Sequence, residues 1–99
     1  MKGDAVYGTV ARMKVKKENL EALRAWAKEA ETREVPGLRS AHVLIPDQWN
    51  DEVVVAVMFE DKGSYDKNAD APEQHDSYLK MRALLEADPE WTDGEWMAG

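Results

Sequence analysis

"EVVVAVMFE", Glu52–Glu60, contains the longest uninterrupted apolar run of the chain. Read as an extended strand, it places Val53, Val55, Val57 and Phe59 on one face and Val54, Ala56 and Met58 on the other, because side chains alternate along a strand. A strand that is apolar on both faces is buried on both faces. Helices of the same chain can cover one of them. The second face needs another cover, and in a chain of 99 residues the simplest is a second copy.

Working backwards, Pro46-Asp47-Gln48-Trp49-Asn50-Asp51 is rich in turn formers and predicts a hairpin connection. The strand before it, Leu38–Ile45, carries Leu38, Ser40, His42 and Leu44 on one face and Arg39, Ala41, Val43 and Ile45 on the other. Val35-Pro36-Gly37 stops what precedes it, since proline disfavours a helical Val35 and Gly37 frees the chain to turn back. From Lys17 to Glu34, Leu20, Leu23, Trp26 or Ala27, and Ala30 recur at helical spacing, with Asn19 a candidate cap and Glu29/Arg33 an i,i+4 pair. Asp4–Lys16 alternates with period two, which predicts a first strand.

Working forwards, Asp61–Asp70 reads as a short helical turn plus loop capped by Asp61. Pro72 suits the first turn of a second long helix reaching Ala87, with a stripe of His75, Tyr78, Met81 and Leu84 or Leu85. Asp88-Pro89 ends it, and Glu90–Met97 supplies a weak last strand with Trp91 and Trp96. The order is β-α-β-β-α-β, an α+β, ferredoxin-like split βαβ in one domain spanning 1–99. Right-handed crossovers put both helices on one face of a four-stranded antiparallel sheet. Two bare sheet faces packed together make a dimeric α/β barrel, so the expected partner is a homodimer through the open sheet face.

Composition narrows the classes. Net charge is −7. Residues 1–46 carry nine Lys/Arg against six Asp/Glu (+3), and residues 47–99 carry four against fourteen (−10). Nucleic-acid binding needs a basic face, so no nucleic-acid partner is expected. There is no cysteine, which removes disulfides and thiolate metal sites and fits a cytoplasmic setting. No stretch approaches the roughly 20 apolar residues of a membrane span, so no membrane partner is expected.

Several stretches together resemble one family. "VKKENLEALRAW" after the first strand, "VPGLRSAHVL" at the turn and "VAVMFEDKGSYDKNADAPEQHDSYL" are similar to antibiotic biosynthesis monooxygenase (ABM) proteins, dimeric α+β barrels. The resemblance implies a ligand pocket between sheet and helices and no cofactor. Its range of activities is wide: cofactor-independent oxygenases of polyketide quinols, haem-degrading enzymes, isomerases and members without known activity. The haem-degrading branch uses a first-strand asparagine, a tryptophan after the third strand and a later histidine. Here the first strand has no asparagine, the tryptophan position falls at Asn68, and the histidine position falls at Tyr78, with His75 one turn early.

His75 is the first candidate for catalysis, because an imidazole titrates near neutrality and its place on the helix stripe aims it at the sheet. His42, Tyr7, Trp26, Phe59 and Tyr78 are candidate pocket residues, although aromatic residues at such spacing are usually core. Arg39 reads as a solvated charge or a salt-bridge partner for the acidic half, and Trp49 and Trp96 as dimer contacts. Two histidines on separate elements make no metal site. The expected function is a barrel that binds a small apolar or aromatic molecule or serves a structural role; the alternative is a cofactor-independent monooxygenase of a flat phenolic substrate, with His75 as base. An open cavity reached by His75 favours the enzyme, and a filled interior excludes it.

Overall fold

The computed structural model describes residues 6–97. Four strands, β1 (Tyr7–Lys14), β2 (Leu38–Leu44), β3 (Glu52–Phe59) and β4 (Glu90–Glu95), form one sheet in the order β2-β3-β1-β4, antiparallel throughout. Three α-helices connect them: α1 (Leu20–Glu31), α2 (Lys62–Ala69) and α3 (Pro72–Arg82). This is the ferredoxin-like arrangement. Asp4 and Ala5, part of the expected first strand, lie outside the described residues.

Register explains the core. Tyr7, Thr9, Ala11 and Met13 of β1 stand opposite Phe59, Val57, Val55 and Val53 of β3, and this inner face is where burial concentrates. Ala11, Met13, Val15, Val53, Val55 and Phe59 are buried, joined by Leu23 of α1, Met81 of α3 and Leu85 beyond it. The other face carries Val10, Val54, Ala56 and Met58, which remain only half-buried, and Leu44, which is 65% exposed. On it Arg12 bonds Glu52 at 3.2 Å and reaches Glu90 at 3.7 Å, a cross-strand charge set at the sheet end.

The alternation expected for β2 breaks at its start. Leu38 pairs with Phe59, but Ser40 pairs with Met58, leaving Arg39 as the extra residue of a bulge. Leu38 therefore shares the inner face with Ala41 and Val43, not the outer face with Ser40, His42 and Leu44. Gly37, with φ +82°, makes the turn before it, and a Cβ there would lie 2.5 Å from Ser64 Oγ.

The helices depart from expectation at their ends. Asn19 does not cap α1 with its side chain; its Nδ2 donates to the Leu84 carbonyl at 3.1 Å, and a 3-10 turn at Lys17–Asn19 precedes the helix. Asp61 caps α2 by accepting from the Ser64 N–H at 2.7 Å. With the Lys62–Asp66 pair at 2.8 Å it supports two turns of helix, longer than the short turn the sequence predicts. α3 stops at Arg82, short of Ala87, because burial of Leu85 is achieved by an extended bridge to Val15. The Glu86 N–H then donates to the Lys14 carbonyl at 2.9 Å, and Arg82 holds Asp88 at 2.8 Å.

Candidate functional site

Between the inner sheet face and the helices lies an open-mouthed cavity of about 1340 Å³. Small-molecule pockets usually measure roughly 300–1,000 Å³, so a ligand of two or more fused rings fits. Its apolar wall includes Val55, Val57, Phe59, Trp26, Tyr78 and Met81. The chain's own side chains fill the end of the sheet–helix space around Met13, Leu23 and Met81 and leave the remainder open.

A polar group closes one part of the wall. Tyr65 of α2 donates its hydroxyl to Asp93 Oδ1 of β4 at 3.0 Å. Asp93 stands opposite Thr9, whose own hydroxyl donates to the Thr92 carbonyl at 3.2 Å. The Tyr65 ring is fixed by Tyr7 at 5.3 Å and by the edge-on Phe59 at 5.6 Å. Burial first, and then the hydrogen bond to Asp93, push the Tyr65 phenol up to about 12. It stays protonated at neutral pH and acts as a donor, leaving the Asp93 carboxylate as the acceptor that faces the cavity. Nearby, Asn68 Nδ2 donates to Gln74 Oε1 at 3.4 Å, and both residues border the cavity.

Of the sequence-derived candidates, Trp26, His42, Phe59 and Tyr78 border the cavity. Trp26 is oriented by its indole N–H, which donates to the Ser77 carbonyl at 3.0 Å. Tyr78 lies 6.5 Å from Trp91. His42 is exposed and sits opposite Ala56, an outer-face position of the edge strand, at the border of the cavity. Tyr7 supports Tyr65 from behind, with Lys62 Nζ 5.6 Å from its ring. Trp49 packs on the core, and Trp96 crosses the outer face to donate to the Val57 carbonyl at 3.2 Å.

His75 is exposed and outside the cavity wall, which corrects its expected place on the inward stripe. The reason is helical phase. A helix turns about 100° per residue, so seven residues return almost to the same direction. Gln74, seven before the buried Met81, faces the cavity; His75, six before it, is rotated about 120° away. Replacing His75 by alanine is therefore expected to change stability by less than about 1 kcal/mol and to leave ligand binding unaltered, as thermal melting and calorimetry would show. A loss of binding would bring His75 into the site.

Tyr65, Gln74 and Asp93 border the cavity without being singled out by the sequence, and Asn68 borders it at the position where the haem-degrading branch has its tryptophan. The i,i+3 spacing of Tyr65 and Asn68 on one helix face is the available signal. Asp93 gives none, because β4 lacks an apolar alternation to show its register. Among the described residues no group of three or more His, Asp or Glu is placed to hold a metal ion, and no helix is long and apolar enough to cross a membrane.

Residues 6–78 match the sequence model of the antibiotic biosynthesis monooxygenase family. The chain belongs to that family. ABM structures share its architecture. SnoaB, a cofactor-independent oxygenase from Streptomyces nogalater, superposes with a TM-score of 0.75 at 15% identity over 96% of both chains. A conserved protein from Methanosarcina mazei Go1 gives 0.79 at 17% identity over 92% of both chains. A protein assigned to the ABM family from Chloroflexus aurantiacus J-10-fl gives 0.77 at 21% identity over 96% of both chains. At these identities the likeness is one of fold. A comparison with curated protein sequences finds no match.

Proposed function

We propose that this ABM protein is a barrel that binds a small, flat, largely apolar ring compound in the sheet–helix cavity, with a hydroxyl group of the ligand bonded to Asp93. The cavity itself carries the reading. Its aromatic and aliphatic walls suit a ring system, and its polar corner supplies one acceptor, the Asp93 carboxylate, held in place by the Tyr65 O–H. Calorimetric titration with 2-naphthol tests it. Asp93→Asn is expected to weaken binding roughly tenfold, about 1.4 kcal/mol for one charge-assisted hydrogen bond. Absence of saturable binding by the unaltered protein would overturn the reading.

A second reading is supported by ABM membership and by the carboxylate in the cavity wall. If Asp93 takes the phenolic proton of an enclosed substrate, the anion can pass one electron to dioxygen. The substrate radical and superoxide then join in a C–O bond, the proton returns from Asp93 to give a hydroperoxide, and loss of water leaves the quinone, with dioxygen as the sole oxidant. Aerobic turnover of anthrones and naphthols, abolished in Asp93→Asn, is the outcome that would distinguish catalysis from binding.

The protein is proposed to act as a homodimer through the outer sheet face. The half-buried Val10, Val54, Ala56 and Met58 and the exposed Leu44 form a contiguous apolar surface there, a pattern that marks interaction sites. Sedimentation equilibrium at micromolar concentration is expected to give twice the 11.2 kDa chain mass. Val54→Asp is expected to split the dimer or unfold it, since an unpaired charge buried there costs several kcal/mol. A single 11.2 kDa species from the unaltered protein would contradict the assembly.

A further inference from the structure

Arg33 departs from its expected surface role. Its i,i+4 spacing from Glu29 predicts an ion pair on the outside of α1, but Glu29 lies 3.6 Å from Lys80 instead. Arg33 turns to the cavity wall, where Nη1 makes a single long bond of 3.4 Å to the Glu73 carbonyl. Its Nε is closed off from solvent and has no acceptor. A guanidinium carries five N–H donors and stays charged, so partial desolvation with one weak bond leaves most of its donor capacity uncommitted.

Arg39 borders the same cavity from the other side of the Val35-Pro36-Gly37 turn. It is the extra residue of the β2 bulge, and bulges re-aim side chains. Glu31 and Glu34 also border this region, yet neither arginine makes an ion pair with a carboxylate of the described residues. The chain as a whole, at −7, repels anions, so any attraction for one must be local.

We propose that the cavity's ligand is a planar aromatic carboxylate, its acidic oxygens held by Arg33 and Arg39 and its ring packed against Trp26 and Tyr78. The planar fork of an arginine matches a carboxylate with two parallel hydrogen bonds. The proposal deepens the reading of the cavity as a ligand site and rests on it.

Paired probes of equal shape separate the two. Calorimetry with 2-naphthoate and its neutral isostere 2-naphthamide is expected to show at least roughly tenfold tighter binding of the carboxylate by the unaltered protein. Arg33→Gln should reduce that preference to less than about threefold while leaving 2-naphthamide binding within about twofold. Arg39→Gln, an exposed and structurally tolerant substitution, should reduce it independently. Equal binding of the two probes would overturn the anion assignment and leave the cavity reading intact. A carboxylate preference that survives in the double variant would remove both arginines from the role. Failure of both probes and of 2-naphthol to bind would overturn both proposals.

Discussion

Replacing Phe59 with alanine is expected to cost about 3–5 kcal/mol of folding stability, the range for large-to-small changes at a packed aromatic position. Phe59 is 2% exposed. It closes β3 between Tyr7 on one side and Leu38 on the other, and its ring meets Tyr65 at 5.6 Å. Truncation removes transfer energy and leaves a void that three strands cannot collapse to fill. A domain of this size has roughly 5–15 kcal/mol in total, so the variant retains a fraction of it. Tyr65 loses its support at the same time, which should loosen the Asp93 bond and weaken 2-naphthol binding. Urea denaturation beside the unaltered protein measures the first effect and calorimetry the second. A loss below about 1 kcal/mol would show that the position is not packed as described.

Gly8→Ala is expected to be nearly as damaging, about 3 kcal/mol as an overpacking change. A Cβ at Gly8 would collide with the Val57 carbonyl oxygen and lie 2.8 Å from its carbon and 2.9 Å from Trp96 Nε1. The carbonyl belongs to the partner strand and accepts the Trp96 indole N–H at 3.2 Å. Relief requires moving β1 from β3 or displacing the indole. Gly94 stands directly opposite Gly8 in β4, and a Cβ added there would meet no atom within 4 Å, so Gly94→Ala serves as the matched control. It should stay within about 0.5 kcal/mol, as for surface substitutions generally. Thermal melts of the two variants decide the matter: equal behaviour would contradict the close approach at Gly8.

What can be read from the sequence follows the strength of each local signal. Although α1 itself ends at Glu31, before the expected Glu34 and the Val35-Pro36-Gly37 stop, the doubly apolar Glu52–Phe59 strand, the turn at Gly37 and the Asp61 cap all carry strong local chemistry, and each lies where it is expected. The start of β2 does not, because a one-residue bulge leaves no mark on the alternation Leu38–Leu44. It moves Leu38 to the inner face and sets Arg39 beside the cavity. Leu84 and Leu85 continue a helical stripe and so predict a longer α3, although Leu85 is buried by its bridge to Val15. Stepping in threes along α3 places His75 on the inward face, but each such step drifts about 60° from the true helical phase. The acceptor of the site, Asp93, depends on pairing between β1 and β4, a long-range register that no local pattern in "EWTDGE" reveals.

Whether the sheet–helix cavity is the ligand site decides the functional reading. Amide chemical-shift changes on titrating the uniformly labelled protein with 2-naphthol test it residue by residue. Saturable shifts are expected at Thr9, Val57, Tyr65, Asn68 and Asp93, with little change at Val10, Val54 and Met58. Shifts concentrated on Val10, Val54 and Met58, or none that saturate, would contradict it.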